Sequence, residues 1–214
     1  MTLDLTCRPD YGRPQPARRT TLGKLTGQKP ALKAKEVWAI RIRLQLARKA
    51  RELALFNLAI DSKLRGCDLV RLRVEDVAAA GEVKSRASIV QQKTGRPVQF
   101  ELTEQTRTTV AALIQRHDLR GPDFLFQSRL AASPRLSTRQ YARLVQGWVK
   151  SIGLNPATYG THSLRRTKAA LIYRKTGNLR AVQLLLGHSK LESTVRYLGV
   201  EVDDALAISE QVDL

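Results

Sequence analysis

Thr161-His162-Ser163-Leu164-Arg165-Arg166 opens a stretch that runs through an apolar segment to Leu186-Gly187-His188 and closes at Tyr197. Its punctuation predicts three helices. Thr161 is read as the N-cap of the first, whose packed face is Leu164, Ala169, Leu171 and Ile172, and Gly177 stops it. His162 and Arg165 stand three apart and therefore share a face of its first turn. Asn178 is read as the cap of a leucine-dense second helix over 179–186, ended by Gly187, which leaves His188 just past a helix C-terminus. A third short helix from about Leu191 returns Tyr197 nine positions after His188, near a breaking Gly199. Two histidines, an arginine and a tyrosine thus fall at element ends, where side chains face ligands instead of filling a core.

Outward from this stretch, 37 Lys and Arg oppose 19 Asp and Glu in 214 residues, a formal net charge of +18. An excess of that size points to a polyanionic partner, nucleic acid first. The length suits one good core with a short appendage. No run of about 18 apolar residues occurs and no signal-peptide core is evident, so a soluble, cytoplasmic, nucleoid-associated protein is expected. Cys7 and Cys67 are too few for a disulfide framework and lack zinc-ligand spacing. His162 and His188 have no clustered partners for a metal, so neither metal nor cofactor is expected. The absence of a Gly-x-Ser-x-Gly elbow argues against a serine hydrolase.

Residues 1–34 carry Arg8, Arg13, Arg18, Arg19, Lys24, Lys29 and Lys33 against Asp4 and Asp10, with four prolines, and are read as a basic, flexible arm. Over 34–48 the stripe Val37, Ile40, Leu44 and Ala47 predicts a helix, with Trp38 as a core anchor. The more uniformly apolar 51–64 predicts a central, buried helix. Arg65 follows where that helix stops, and Asp68 is read as the cap of a short helix over 69–74. Residues 87–90 and 98–102 are strand candidates, the second alternating Val98, Phe100 and Leu102 with polar residues. The turn Gln92-Lys93-Thr94-Gly95-Arg96-Pro97 between them places Lys93 at a hairpin tip. Thr103 is read as the cap of a helix to about Arg116, with His117 on the surface or at its C-cap. Phe124-Leu125-Phe126 reads as an apolar plug. Ser137 and Gln140 form a capping-box pattern ahead of a helix to Lys150 with Tyr141, Leu144, Val145 and Trp148 inward. After Gly199 the charge changes sign: residues 199–214 hold five acids and no Lys or Arg. Leu206, Ile208 and Val212 there suit an amphipathic helix.

The order His-x-x-Arg, Leu-Gly-His and a tyrosine nine residues on resembles the C-terminal signature of the tyrosine recombinases, the phage-integrase type. The resemblance covers roughly residues 34–197. It implies a mainly α catalytic domain with a small β-hairpin (α+β) over 35–198, similar in size to short fimbrial phase-switch members. It also implies site residues in order: Arg65, Lys93, His162, Arg165, His188 and Tyr197. In that family the first arginine follows a Gly-Leu pair, whereas Lys63-Leu64 precedes Arg65 here. By resemblance Tyr197 is the nucleophile that forms a 3′-phosphotyrosyl link, Arg65 and Arg165 clamp the phosphate, and His188 hydrogen-bonds it. His162 assists deprotonation of the phenol and Lys93 protonates the leaving 5′-oxygen. The implied partners are double-stranded DNA and further copies of the chain in a tetrameric synapse, with the 199–214 tail docking on a neighbour. A recombinase-derived DNA-binding regulator without turnover and a type IB topoisomerase are the rival readings.

Overall fold

The computed structural model describes residues 28–129 and 133–198. Most of the basic arm and all of the acidic tail lie outside the described residues. Nine helices and four short strands follow in order among the described residues: α1 (Ala34–Leu46), α2 (Ala50–Ser62), α3 (Gly66–Leu69), α4 (Val74–Val77), β1 (Ala78–Ala79), β2 (Glu82–Val83), β3 (Arg86–Val90), β4 (Pro97–Glu101), α5 (Glu104–Arg116), α6 (Thr138–Ser151), α7 (Thr161–Thr176), α8 (Leu179–Leu186) and α9 (Leu191–Leu198). The architecture is mainly helical with two antiparallel hairpins, β1–β2 and β3–β4. In the second, Val90 faces Pro97 and Ala87 faces Phe100, which projects the turn holding Lys93 away from the core. No helix among the described residues is long and apolar enough to cross a membrane.

The organising element is α2, buried from Glu52 to Ser62 and packed against α1, α5 and α7. Leu55, Phe56 and Leu58 are fully enclosed, each worth about 1.5–3 kcal/mol relative to exposure. Phe56 meets the Trp148 ring edge-on at 5.4 Å, and the Trp148 indole donates to Glu52 at 2.7 Å, joining α6 to α2. Val98, Phe100 and Leu102 are buried as their alternation predicts. A smaller cluster of Ala169, Val182 and Leu186, with Ile172, Tyr173, Tyr197 and Leu198 around it, holds α7, α8 and α9 together.

Several local expectations change. Trp38 is 64% exposed, not a core anchor. It begins a solvent-facing series Trp38, Ile42, Leu46 at four-residue spacing, while Val37, Ile40 and Leu44 take the inward face. Ala47 is an exposed C-cap, and Leu171 also lies outward. The cap of α7 is Gly160, not Thr161: the Ser163 hydroxyl reaches back to accept from the Gly160 N–H at 3.2 Å. Asp68 does not cap a following helix; it lies inside α3 and accepts from the Gln92 N–H at 2.9 Å, tying the β3–β4 turn to α3. Thr103 precedes α5, but its hydroxyl donates to Asp61 at 2.7 Å instead of capping. Asn178 caps α8 through the Ala181 N–H at 2.9 Å, and Ser137 accepts from the Gln140 N–H at 3.1 Å. The tiny β1–β2 hairpin has no counterpart in the sequence reading.

Lys63, in the position where glycine is usual, adopts the left-handed conformation at φ 55° that such a glycine would supply. Its ammonium turns inward to the Asp61 carbonyl at 2.7 Å and to both Glu101 oxygens at 3.0 and 3.1 Å. Lys168 of α7 bonds Asp61 at 2.8 Å and Glu101 at 2.7 Å, so two cations and two carboxylates join α2, β4 and α7. Burial lowers the Lys63 pKa against the pull of Glu101, while Lys168 and Lys63 hold the Glu101 pKa below its ordinary value despite its burial.

Candidate active site

The six residues singled out from the sequence come from five places in the fold: the α2–α3 junction, the β3–β4 turn, α7, the α8–α9 turn and α9. The charges of Arg65, Lys93 and Arg165 all bear on His162, so these places face one positively charged region. Arg65 is the residue before α3, in extended conformation two positions after the left-handed Lys63. Its guanidinium donates to the side-chain oxygen of Gln91 at 2.5 Å. Gln91 closes β3, is 1% exposed, accepts also from Thr94 at 2.9 Å and donates to the Leu186 carbonyl at 3.4 Å. Arg165, buried on the first turns of α7, donates to the same Leu186 carbonyl at 2.8 Å. A single main-chain oxygen at the end of α8 therefore aligns one guanidinium directly and the other through Gln91. The Arg165 Nε is buried and has no acceptor among the described residues. A charged donor left in that state is costly unless an anion arrives.

Gly187 makes this possible. It closes α8 at φ +64°, and a Cβ there would stand 2.4 Å from Val98 Cγ2 on the hairpin. Only glycine lets the chain turn so close to β4. His188 follows, and its Nδ1 pairs with the buried Thr194 hydroxyl at 3.1 Å, leaving Nε2 for a ligand. Burial, then the charges of Arg165 and Arg65, lowers the His188 pKa to about 4. His162, exposed on the first turn of α7, is also lowered by its partial burial and by Arg165, Arg166, Arg65 and Lys93. Both imidazoles are thus held neutral near pH 7 and able to accept a proton.

Tyr197 on α9 is half-buried among these cations. Its ring meets His188 edge-on at 5.3 Å, and the guanidiniums of Arg165 and Arg166 lie 5.8 and 4.7 Å from its centroid. The phenol oxygen makes a long contact, 3.4 Å, to the His162 carbonyl, and the Arg166 guanidinium also stands close enough to bond it and favour its ionised form. Burial raises the phenol pKa, and Arg165, Arg166 and Arg65 oppose that rise, so the group is desolvated yet faced by positive charge. Lys93 is the outlier: exposed in the β3–β4 turn, it acts on His162 through its charge and makes no hydrogen bond among the described residues.

Sequence reasoning missed Gln91 and Arg166. Gln91 reaches partners 26 and 95 positions away, so nothing local marks it. Arg166 is adjacent to Arg165, yet its helical position turns it toward α9 and the N-terminal residues. Among the described residues no three His, Cys, Asp or Glu side chains gather as metal ligands.

Comparison with known proteins identifies the family. Residues 31–203 match the phage integrase family, and the chain belongs to it. It is 28% identical over 162 residues to the probable integrase/recombinase YoeC of Bacillus subtilis (strain 168), covering 76% of this chain and 84% of that one. It is 27% identical over 165 residues to the tyrosine recombinase XerC of Psychromonas ingrahamii, 75% of this chain but only 52% of the relative. Among solved structures, XerA recombinase superposes with a TM-score of 0.70 at 20% identity over 86% of this chain and 65% of that one. XerH recombinase, solved bound to its difH substrate before cleavage, gives 0.66 at 19% identity over 85% and 54%. The chain spans about half the length of the XerC relative, and the structural likeness defines its fold as that of a tyrosine recombinase catalytic domain.

Proposed function

We propose that this chain is a site-specific DNA recombinase that cuts and rejoins duplex DNA through a 3′-phosphotyrosyl intermediate. The observation that carries the reading is the placement of the Tyr197 phenol beside two guanidiniums that share one main-chain anchor, with a neutral imidazole edge-on to its ring. Attack by the phenol oxygen on a phosphodiester forms the tyrosyl–phosphorus bond and breaks the bond to the 5′-oxygen. Extra negative charge develops on the non-bridging oxygens, where forked donors from Arg65 and Arg165 are most effective. The phenol proton passes toward neutral His162, the alkoxide takes one from Lys93, and the His188 Nε2 bonds the phosphate. Bond energy is kept in the ester, so rejoining needs no ATP and no metal.

The partners on this reading are duplex DNA and further copies of the chain, four sites being required to exchange strands between two duplexes. The basic residues of 1–34 would add phosphate contacts, and the acidic 199–214 would dock on a neighbouring copy within the nucleoid. The test is incubation of the full chain with nicked duplexes carrying sites from its native locus, followed by denaturing electrophoresis. A covalent protein–DNA adduct that disappears in Tyr197→Phe, while duplex binding is retained, supports the reading. Binding without adduct from the unaltered chain would make it a DNA-binding regulator instead.

A further inference from the structure

Arg166 is 8% exposed and takes no part in the phosphate clamp. Its guanidinium is shared between two partners that are far apart in sequence. On one side it donates to the Lys29 carbonyl at 2.8 Å and to the Gln28 side-chain oxygen. On the other it lies over the Tyr197 ring, 4.7 Å from the centroid, while its buried Nε has no acceptor among the described residues. The segment it holds, residues 28–33, is itself fastened to the domain. The Lys29 ammonium bonds the Ala157 and Tyr159 carbonyls at 3.1 and 3.0 Å, and the Leu32 N–H donates to Thr167 at 3.0 Å. Leu32 is buried. One guanidinium therefore bridges the strap that leads in from the basic arm and the ring of the proposed nucleophile.

We propose that Arg166 is a positioning residue that couples the strap of residues 28–33 to Tyr197, so that the strap's seating sets the orientation and reactivity of the phenol. The inference rests on the reading of Tyr197 as nucleophile. Physically, a strap drawn away from α7, for example by arm residues engaging phosphates, removes two acceptors from Arg166. The guanidinium then leaves the ring face for solvent or DNA. Tyr197 loses both a packing surface and a neighbouring positive charge, and its phenolate becomes harder to form. Charged and titratable groups facing the phenol are Arg165 and Arg166 from α7, Arg65 from the α2–α3 junction and His188 from the α8–α9 turn, with the His162 carbonyl at its oxygen. Of these, Arg166 alone is bonded to the strap.

The test follows Tyr197 ionisation in the full chain without DNA, by phenolate absorbance taken as the difference from Tyr197→Phe. Arg166→Gln should raise the ionisation midpoint by about one pH unit, the loss of one unit charge near a half-buried group. Gln28→Ala with Lys29→Ala, which frees the strap but leaves every group at the phenol in place, should move the midpoint in the same direction by a smaller amount. Combined with Arg166→Gln the strap changes should add nothing further. Should Arg166→Gln fail to fold, Arg166→Lys replaces it: the charge remains, the two-acceptor fork does not, and the strap changes should again lose their effect. An unmoved midpoint in Arg166→Gln overturns the proposal, as does a strap effect that is as large in Arg166→Gln or Arg166→Lys as in the unaltered chain. Because no DNA is present, either result is separable from the adduct assay that tests the nucleophile itself.

Discussion

Gly187→Ala is the most informative single perturbation of the site. Two costs come from different parts of the geometry. At φ +64° an L-residue other than glycine is strained by about 1–2 kcal/mol. The added Cβ would also stand 2.4 Å from Val98 Cγ2, with Gln91 Nε2 at 3.2 Å, and forced repacking of a closed interior costs about 1–3 kcal/mol. The expected loss is therefore about 2–5 kcal/mol, a large share of the stability of a domain this size. Relief of the clash must push the hairpin from α8, which separates Gln91 from the Leu186 carbonyl and shifts His188. A displacement near 1 Å costs about 10²-fold in rate. Urea unfolding of Gly187→Ala, Val98→Ala and the double variant resolves the parts. Removing Val98 Cγ2 should recover the repacking cost but not the backbone strain, giving a favourable coupling of about 1–3 kcal/mol. A loss below about 1 kcal/mol, or no coupling to Val98, would refute the close approach of α8 and β4.

Arg65→Lys and Arg165→Lys retain charge but not the fork, and each should reduce cleavage by about 10²-fold in single-turnover assays with near-unchanged duplex binding. His188, whose pKa is lowered to about 4 from an ordinary 6.5, binds fewer protons folded than unfolded, so it withdraws stability as pH falls from about 6.5 toward 4. On the proposed reading, the anionic phosphodiester bound beside His188 should offset that depression. Duplex affinity should therefore rise as pH falls from 7 to 5, and the rise should shrink in His188→Gln, as read by fluorescence anisotropy at fixed salt. Duplex affinity should fall steeply with salt as counterions are released, and removal of residues 1–27 should flatten the slope of log K against log salt. An unchanged slope would assign the arm no phosphate contacts.

The parts of the molecule that local chemistry controls were readable in the chain. Gly177 and Gly187 end their helices in the left-handed region, Asn178 and Ser137 cap theirs, and the alternation of Val98, Phe100 and Leu102 marks the inward face of β4. Arg65 and Lys93 could be named only by resemblance, because an arginine at a helix junction and a lysine in a turn are surface residues by default. What stayed hidden depends on distant neighbours. Trp38 carries the largest apolar side chain in α1, yet among the described residues the face it occupies is left mostly exposed, and only the packing of α1 on α2 decides that. Lys63 looks like a solvated charge beside a turn until Glu101, 38 positions on, is brought over it. Arg166 and Gln91 have no motif, since each acts by bridging segments that approach only in the folded state.

The Leu186 carbonyl, shared by Gln91 and Arg165, places an unusual constraint on how such a site can drift. A main-chain oxygen cannot be exchanged by substitution, so the anchor of the proposed phosphate clamp survives almost any change of residue 186 that keeps α8 packed. The clamp is vulnerable instead to insertions or deletions that rotate the end of α8, which would turn the oxygen away while leaving every site residue intact. Two chains with the same six side chains can therefore differ in competence because of a one-residue length change near position 186. That difference would be sought in vain among the side chains.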